Sequence, residues 1–338
     1  MRPGCRRAPC PTGHERGSGG VPRVLVTGGA GFIGAAVVEA LVGRGDEAIA
    51  FDLRETPRLA ALRRDWSRVR YVPGELTEWP MLLDAFRVHR PDAVVHCAAV
   101  VGVVNALASP AATMRVNVDG SLNLLAAARM HGVRRVVNVS SEEVYGPFHA
   151  PEIDETHPCF PIGAYGVSKF AVEQLAREQA QRHGLSVLHV RTCWVYGPGL
   201  ARPRVPRTLL DAALAGRRLH LPQGGDFRVD HVYVRDVADG ILRVLDASDP
   251  PHDVYHIATG MAPSLSEIVA ILRDLVDGAD LAVGPGNYVF ADGVEAVRKG
   301  ALSIARARAD LGYAPRFSVR DGLGDWIAAR RGGRDASA

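Results

Sequence analysis

Apolar positions along this chain recur with two alternating periods. Short apolar runs, the mark of strands buried on both faces, are separated by stretches where apolar residues return every three or four positions, the mark of amphipathic helices. The runs fall at 24–27, 48–51, 69–72, 92–96, 135–139 and 186–191. Helical patterns lie between them at 81–88, 111–131 and 164–183, and Phe32, Ile33, Val37, Val38 and Leu41 form the stripe of a first helix. Strands joined through helices require right-handed crossovers, which predicts a parallel sheet with helices on both faces, the doubly wound Rossmann fold. Beyond about residue 197 the rhythm breaks, and Pro and Gly rise through PGLARPRVP and LPQGGDF. Shorter pieces follow: a helix at 206–215, a strand and helix across 232–245, a strand at 254–257 and a helix at 264–276. They predict a dinucleotide-binding domain over 21–196 and a smaller substrate-binding lobe over most of 197–338, with segments returning to the first domain. No internal repeat is visible.

The run VLVTGGAGFIG at 24–34 punctuates this pattern with Gly28, Gly31 and Gly34. That spacing answers three demands: a tight turn out of a buried strand, close backbone approach to a pyrophosphate, and tight packing of the next helix on the strand. Free amides from Ala30 to Ile33, at the positive end of that helix, then face the phosphates. The second strand ends in Asp52, about 24 residues after Gly28, where a carboxylate accepts hydrogen bonds from ribose hydroxyls. A 2′-phosphate would meet like charge there, so NAD is favoured over NADP, although Arg54 keeps NADP open.

Composition narrows the classes further. The chain has 338 residues, 47% hydrophobic and 23% charged, and no apolar run approaches the roughly 20 residues of a membrane span. A net charge of +3 without a basic stripe or RNA-binding aromatic motif excludes nucleic acid as an expected partner. Five scattered cysteines without C-x-x-C pairing suit a reducing cytoplasm. Residues 1–20, rich in Gly, Pro and Arg, read as a disordered leader without a secretory apolar core. Val21 is the expected true start. Cys5, Cys10 and His14 are too few and too loosely framed to hold a metal, and no metal site is expected.

Two stretches carry the chemistry. Val139-Ser140-Ser141-Glu142-Glu143-Val144-Tyr145-Gly146 leaves the fifth strand, and Tyr165-Gly166-Val167-Ser168-Lys169 lies in the following helix. Residues four apart share a helix face, so Lys169 stands beside Tyr165 and is expected to pull the phenol below its ordinary value of about 10. Tyr165 then serves as general base toward a substrate alcohol, with Ser141 holding the same oxygen and a nicotinamide taking the hydride.

With these residues assembled, the chain resembles the extended short-chain dehydrogenase/reductase family, and within it the NAD-dependent epimerase/dehydratase group, nucleotide-sugar 4-epimerases included. The matching pieces are TGGAGFIG (27–34), Asp52, GEL (74–76), HCAA (96–99), VNVDGSLNLLAAA (116–128), SSEEVYG (140–146), YGVSK (165–169), VYGPG (195–199), HVYVRDVADG (231–240) and LGYAP (311–315). The resemblance implies Ser141, Tyr165 and Lys169 as catalytic triad. It also implies Phe32 and Ile33 on the glycine loop, Glu75 near the adenine, and Leu76, Ala98, Ala99 and Asn117 on the cofactor side. In related 4,6-dehydratases the two residues after the catalytic Ser or Thr act as acid and base, which makes Glu142 and Glu143 candidates; either Glu can instead orient a helix start. Homodimers formed by the helices at 111–131 and 164–183 are expected from the same resemblance.

The substrate half departs from the family pattern. Nucleotide-sugar members usually carry Asn at the position of Trp194, Arg at the position of Val229, and another Arg in an R-P-G-D element near 290–294. Arg228, one residue early, and Arg298, a few late, are the nearest replacements, and Trp194 remains a substrate-side candidate. Three readings follow. The first is oxidation of a secondary hydroxyl of a sugar-like substrate, opening a nucleotide-sugar epimerisation or dehydration that recycles its NADH. The second is a net dehydrogenase on a non-nucleotide sugar, sugar acid or other alcohol. The third is a non-catalytic regulator sensing the nicotinamide pool.

Overall fold

The computed structural model describes residues 21–290, 293–333 and 335, so the expected leader at 1–20 lies outside the described residues. Its strands are β1 (Arg23–Thr27), β2 (Glu47–Asp52), β3 (Val69–Pro73), β4 (Ala93–His96), β5 (Arg135–Val139), β6 (Glu152–Ile153), β7 (Val187–Arg191), β8 (Trp194–Tyr196), β9 (Leu219–Leu221), β10 (His231–Tyr233), β11 (Val254–His256), β12 (Leu281–Val283) and β13 (Ala301–Leu302). Seven of them form one parallel sheet in the order β11-β7-β5-β4-β1-β2-β3. The order reverses at β1, whose neighbours are β2 and β4, and such a switch point is where doubly wound folds open a crevice at the carboxyl ends of their strands.

Side chains alternate across this sheet with period two. Val24, Val26, Ala48, Ala50, Ala93, Val95, Val137 and Val139 pack on one face, while Leu25, Ile49, Phe51, Val94 and Val136 pack on the other. This double burial is why the strands read as continuous apolar runs. The helices covering the sheet are α1 (Phe32–Gly43), α2 (Pro57–Asp65), α3 (Trp79–His89), α4 (Val103–Ala108), α5 (Pro110–Met114), α6 (Gly120–Met130) and α7 (Gly163–His183). Further along come α8 (Arg207–Leu214), α9 (Val234–Asp246), α10 (Leu265–Leu275), α11 (Ala305–Leu311) and α12 (Val319–Arg331). Among the described residues no helix is long and apolar enough to cross a membrane.

One expectation changes. The single helix predicted over 111–131 is α5 and α6 joined by a π-helical turn, Arg115–Asp119, which holds the buried Asn117. Such wide turns recur at functional sites. The segments expected to return to the first domain are the late strand and helix. Val254–His256 pairs with β7 as the edge of the main sheet, and α9 lies against α1. A second cluster, built on Trp194, Tyr196, Leu209, Phe227, Leu265 and Trp326, packs α8, α10 and α12 together. The short strands β6, β8, β9, β12 and β13, together with α2, α4, α11 and α12, escaped the sequence pattern because they are too short or too polar to show a period.

Candidate active site

The glycine loop leaves β1 at the switch point. Gly28 takes φ 67°, in the left-handed region, and a Cβ there would stand 2.7 Å from the Ala98 backbone nitrogen beyond β4. A Cβ on Gly34 would overlap the Gly28 carbonyl oxygen, so the helix can close on the loop only without a side chain. The amide of Ala30 donates to Asp52 Oδ2 at 2.9 Å, and that of Gly31 to the Gly28 carbonyl at 3.0 Å. The phosphate-facing donors expected from Ala30 to Ile33 therefore narrow to the first-turn amides at Phe32 and Ile33, which lack intrahelical acceptors. Asp52 also accepts from the Leu53 amide, and burial raises its carboxyl against the pull of these hydrogen bonds. Arg54 is exposed beside it.

The far wall of the crevice is equally well braced. Val100 donates to Asn117 Oδ1 at 2.7 Å, and Asn117 Nδ2 donates to Ser168 on α7, so one buried amide ties the exit of β4 to the helix carrying Tyr165. Glu75 and Leu76 follow β3, with the Leu76 carbonyl held by Asn123. Ala99 continues the exit from β4 after Ala98. A cradle that any Cβ would fill, together with a carboxylate at the end of β2, fits a dinucleotide.

Ser141 caps the short 3-10 turn Glu142–Tyr145, its Oγ accepting from the Glu143 amide at 3.2 Å. Its neighbour Ser140 donates to Glu173 on α7 at 2.6 Å. Glu173 is bound by Arg191, whose guanidinium also donates to Tyr145 at 2.7 Å. This buried network fixes the end of β5 against α7 and so presents Ser141 to Tyr165, whose hydroxyl it hydrogen-bonds. Lys169, one turn further along α7, donates from Nζ to the Val139 carbonyl at 2.8 Å. Burial lowers Lys169 to about 8, while the charges of Cys97 and Glu173 oppose the fall.

The phenol itself departs from expectation. Tyr165 is pushed up to about 12, not pulled below 10: burial outweighs its Ser141 hydrogen bond, and Glu143 adds a further push. The Lys169 ammonium spends a hydrogen bond on Val139 rather than on the phenol.

Glu142 is buried, its Oε2 meets no hydrogen-bond partner, and burial raises it to about 8 despite the attraction of Lys299. Glu143 forms an ion pair with Lys299 at 3.0 Å, and Lys299 also donates to the Gly146 carbonyl. Trp194 is buried among Phe227, Tyr288, Phe290 and the His231 ring. The Arg204 guanidinium lies 4.6 Å over its indole.

Arg228 and Arg298 are not brought into this constellation. Arg228 is exposed, donating to Glu267 and to the Ala262 carbonyl, and Arg298 is likewise exposed while its neighbour Lys299 turns inward. Among the described residues the cations that join Lys169 at the site are Lys299, Arg204 and Arg202. Sequence reasoning missed all three. Arg202 and Arg204 sit in the Pro-rich stretch that registered only as a break in rhythm, and Lys299 has no period or motif around it.

Residues 24–258 match the model of the NAD dependent epimerase/dehydratase family. The chain belongs to that family. It is 32% identical over 321 residues to the UDP-glucose 4-epimerase of Azospirillum brasilense, covering 89% of this chain and 90% of the relative. The crystal structure of the UDP-glucose 4-epimerase of Thermotoga maritima with UDP-glucose superposes with a TM-score of 0.82 at 29% identity, covering 92% and 99% of the two chains. The dTDP-glucose 4,6-dehydratase of Streptomyces venezuelae, solved with NAD, gives 0.79 at 31% identity over 92% and 98%. Like the rest of the epimerase/dehydratase family, this protein is an NAD-dependent enzyme of Rossmann architecture. The alternative of a non-catalytic sensor falls with that assignment.

Proposed function

We propose that this protein oxidises a secondary hydroxyl of a nucleotide sugar and then carries the keto intermediate to an epimerised or dehydrated product, regenerating NAD within the same cycle. The observation that supports this reading above all is the buried Tyr165 hydroxyl, hydrogen-bonded to Ser141 and one helical turn from Lys169, at the mouth of a glycine-lined dinucleotide crevice. Gly28, Gly31 and Gly34 with the amides of Phe32 and Ile33 would hold the pyrophosphate, Asp52 the ribose, and Glu75, Leu76, Ala98, Ala99 and Asn117 the remaining walls. NAD bound there supplies the acceptor for the hydride that leaves the sugar carbon.

The chain's own residues handle the proton. Tyr165 takes it from the sugar hydroxyl, and Ser141 holds the same oxygen as it becomes a carbonyl. A phenol at about 12 needs added positive charge to ionise; the Arg202 and Arg204 guanidiniums favour its ionised form, and Lys169 stands one helical turn away on α7. Glu142, a neutral acid at physiological pH, is suited to give a proton. Glu143, ion-paired to Lys299 across the same turn, is the candidate to accept one.

A second reading, a net dehydrogenase on a sugar acid or other non-nucleotide alcohol, draws support from the placement of Arg228 and Arg298 away from the site. Denaturing the purified protein and quantifying released NAD and NADH separates the two. Near-stoichiometric cofactor is expected for internal recycling; an empty protein that forms free NADH from simple alcohols would overturn it. The chain acts as a cytoplasmic homodimer in this reading, because Val104, Leu107, Met114 and Val167 expose apolar side chains on α4, α5 and α7, which pack on one another. A monomer in sedimentation equilibrium would refute the dimer.

A further inference from the structure

Positive charge in the substrate half is unbalanced at one place. Arg204 Nε is buried without a hydrogen-bond partner, and among the described residues the Arg204 side chain forms no ion pair. Arg202, two residues before it, donates only to the Val101 carbonyl at 3.0 Å, and it too lacks an ion pair among the described residues. The two guanidiniums repel one another, and this adds to burial in lowering Arg204 to about 10. Glu142, whose charge would attract Arg204, is raised to about 8 and so carries no charge at neutral pH. Arg204 as a whole is half-buried, and a cation with one buried, unpaired N–H and no counter-ion is unfavourable in a folded protein unless a ligand supplies the partner.

The surroundings suit recognition of a ligand rather than accidental burial. The guanidinium carbon lies 4.6 Å over the Trp194 ring, a cation–π contact that holds the group in the cleft and leaves its remaining N–H groups to pair with carboxylate or phosphate oxygens. Around the same indole, His231 donates from Nδ1 to the Val229 carbonyl, so its buried and partnerless Nε2 is a bare acceptor. Thr192 Oγ1 and Glu142 Oε2 are also buried without partners. The His231 acceptor and the Arg204 guanidinium against one indole are the complement of an anion that also carries a hydroxyl group.

We propose that Arg204, laid on Trp194 and backed by Arg202, is the seat for an anionic group of the substrate, either the diphosphate of a nucleotide sugar or a carboxylate on the sugar itself. This rests on the reading of a sugar-like substrate in the same cleft. It assigns to Arg204 the charge that the family usually places at the positions of Val229 and 290–294.

The test is calorimetric binding to NAD-loaded wild type, Arg204→Gln and Arg204→Lys, with UDP, dTDP, D-glucuronate and D-glucose as probes. Losing a charge-assisted pair should cost Arg204→Gln roughly 10- to 100-fold in affinity for the anion that wild type binds, with D-glucose binding and NAD content unchanged. Arg204→Lys should recover part of the loss, since an ammonium keeps the charge but not the planar edge. A loss confined to UDP and dTDP assigns the diphosphate, and a loss confined to D-glucuronate assigns a sugar carboxylate. Affinity for every anion within twofold of wild type in a folded Arg204→Gln protein would overturn the seat, as would a wild type that binds no anion more tightly than D-glucose. Should Arg204→Gln fail to fold, Arg204→Lys and Trp194→Phe carry the same comparison. A wild type that binds UDP through Arg204 yet converts no nucleotide sugar would keep the seat and sink the proposed reaction.

Discussion

At the proposed cofactor end of the cleft the lining is backbone amides, small residues and one carboxylate, all set on the ends of β1, β2 and β4. At the substrate end they are charged and aromatic side chains from loops far apart in sequence, as in the Lys299–Glu143 ion pair, whose partners are 156 residues apart. The first end is specified by what must be absent: no Cβ on Gly28 or Gly34. The second is specified by compensation among charges, with Glu143 balanced, Glu142 neutralised and Arg204 left over. An end built on exclusion accepts little change and so looks alike across a family. An end built on compensation can exchange one charge for another, which is where enzymes sharing one oxidation step come to differ.

The comparison can be broken first at the triad where the two ends meet. Tyr165→Phe removes the proton acceptor and should lower turnover by about 10²- to 10⁴-fold while NAD content stays at the wild-type level. Turnover near wild type would refute the mechanism. The cofactor end is probed by Asp52→Ala, which also frees the Ala30 amide. The expected loss in NAD affinity is roughly 10- to 100-fold, read by titration, and an unchanged affinity would mean that the carboxylate does not hold the ribose.

Smaller effects sharpen the substrate end. Glu142 titrates higher in the fold than in the unfolded chain, so its neutral form stabilises the protein fully below about pH 4.5, and that contribution is lost as pH rises through about 8. Glu142→Gln has no such loss. Its unfolding midpoint should gain on wild type steadily between those pH values and hold a constant lead above them; parallel pH profiles would show that Glu142 is not buried as an acid. The least effect is expected for Arg228→Gln. An exposed pair with Glu267 contributes about 1 kcal/mol or less, so stability and KM should both stay near wild type, and a large rise in KM would return Arg228 to the substrate site.

Much of the cofactor end was legible because its determinants are local. Glycine spacing, an apolar run on each side and an acidic strand end lie within 24–52, and Tyr165 and Lys169 are one helical turn apart on a single helix. Even there, the pairing of Ala30 with Asp52 was not readable, because it joins two loops that are neighbours only once β1 and β2 pair. The phenol was misjudged for a related reason. Sequence places Lys169 near Tyr165, but the depth of burial, which dominates the proton's affinity, is a property of the packed site.

By itself the sequence determined the alternation of strand and helix, the parallel doubly wound sheet, the glycine loop and the order of the proposed catalytic residues, since each follows from periodicity or from spacing along one element. Tertiary structure alone decided which charges share the cleft. It turned Arg228 to solvent and Lys299 inward, set Arg204 on Trp194, and left Glu142 a neutral acid. The physical reason is that backbone geometry obeys short-range rules, whereas the cost of a charge depends on the distance to every other charge and to water, and folding sets those distances.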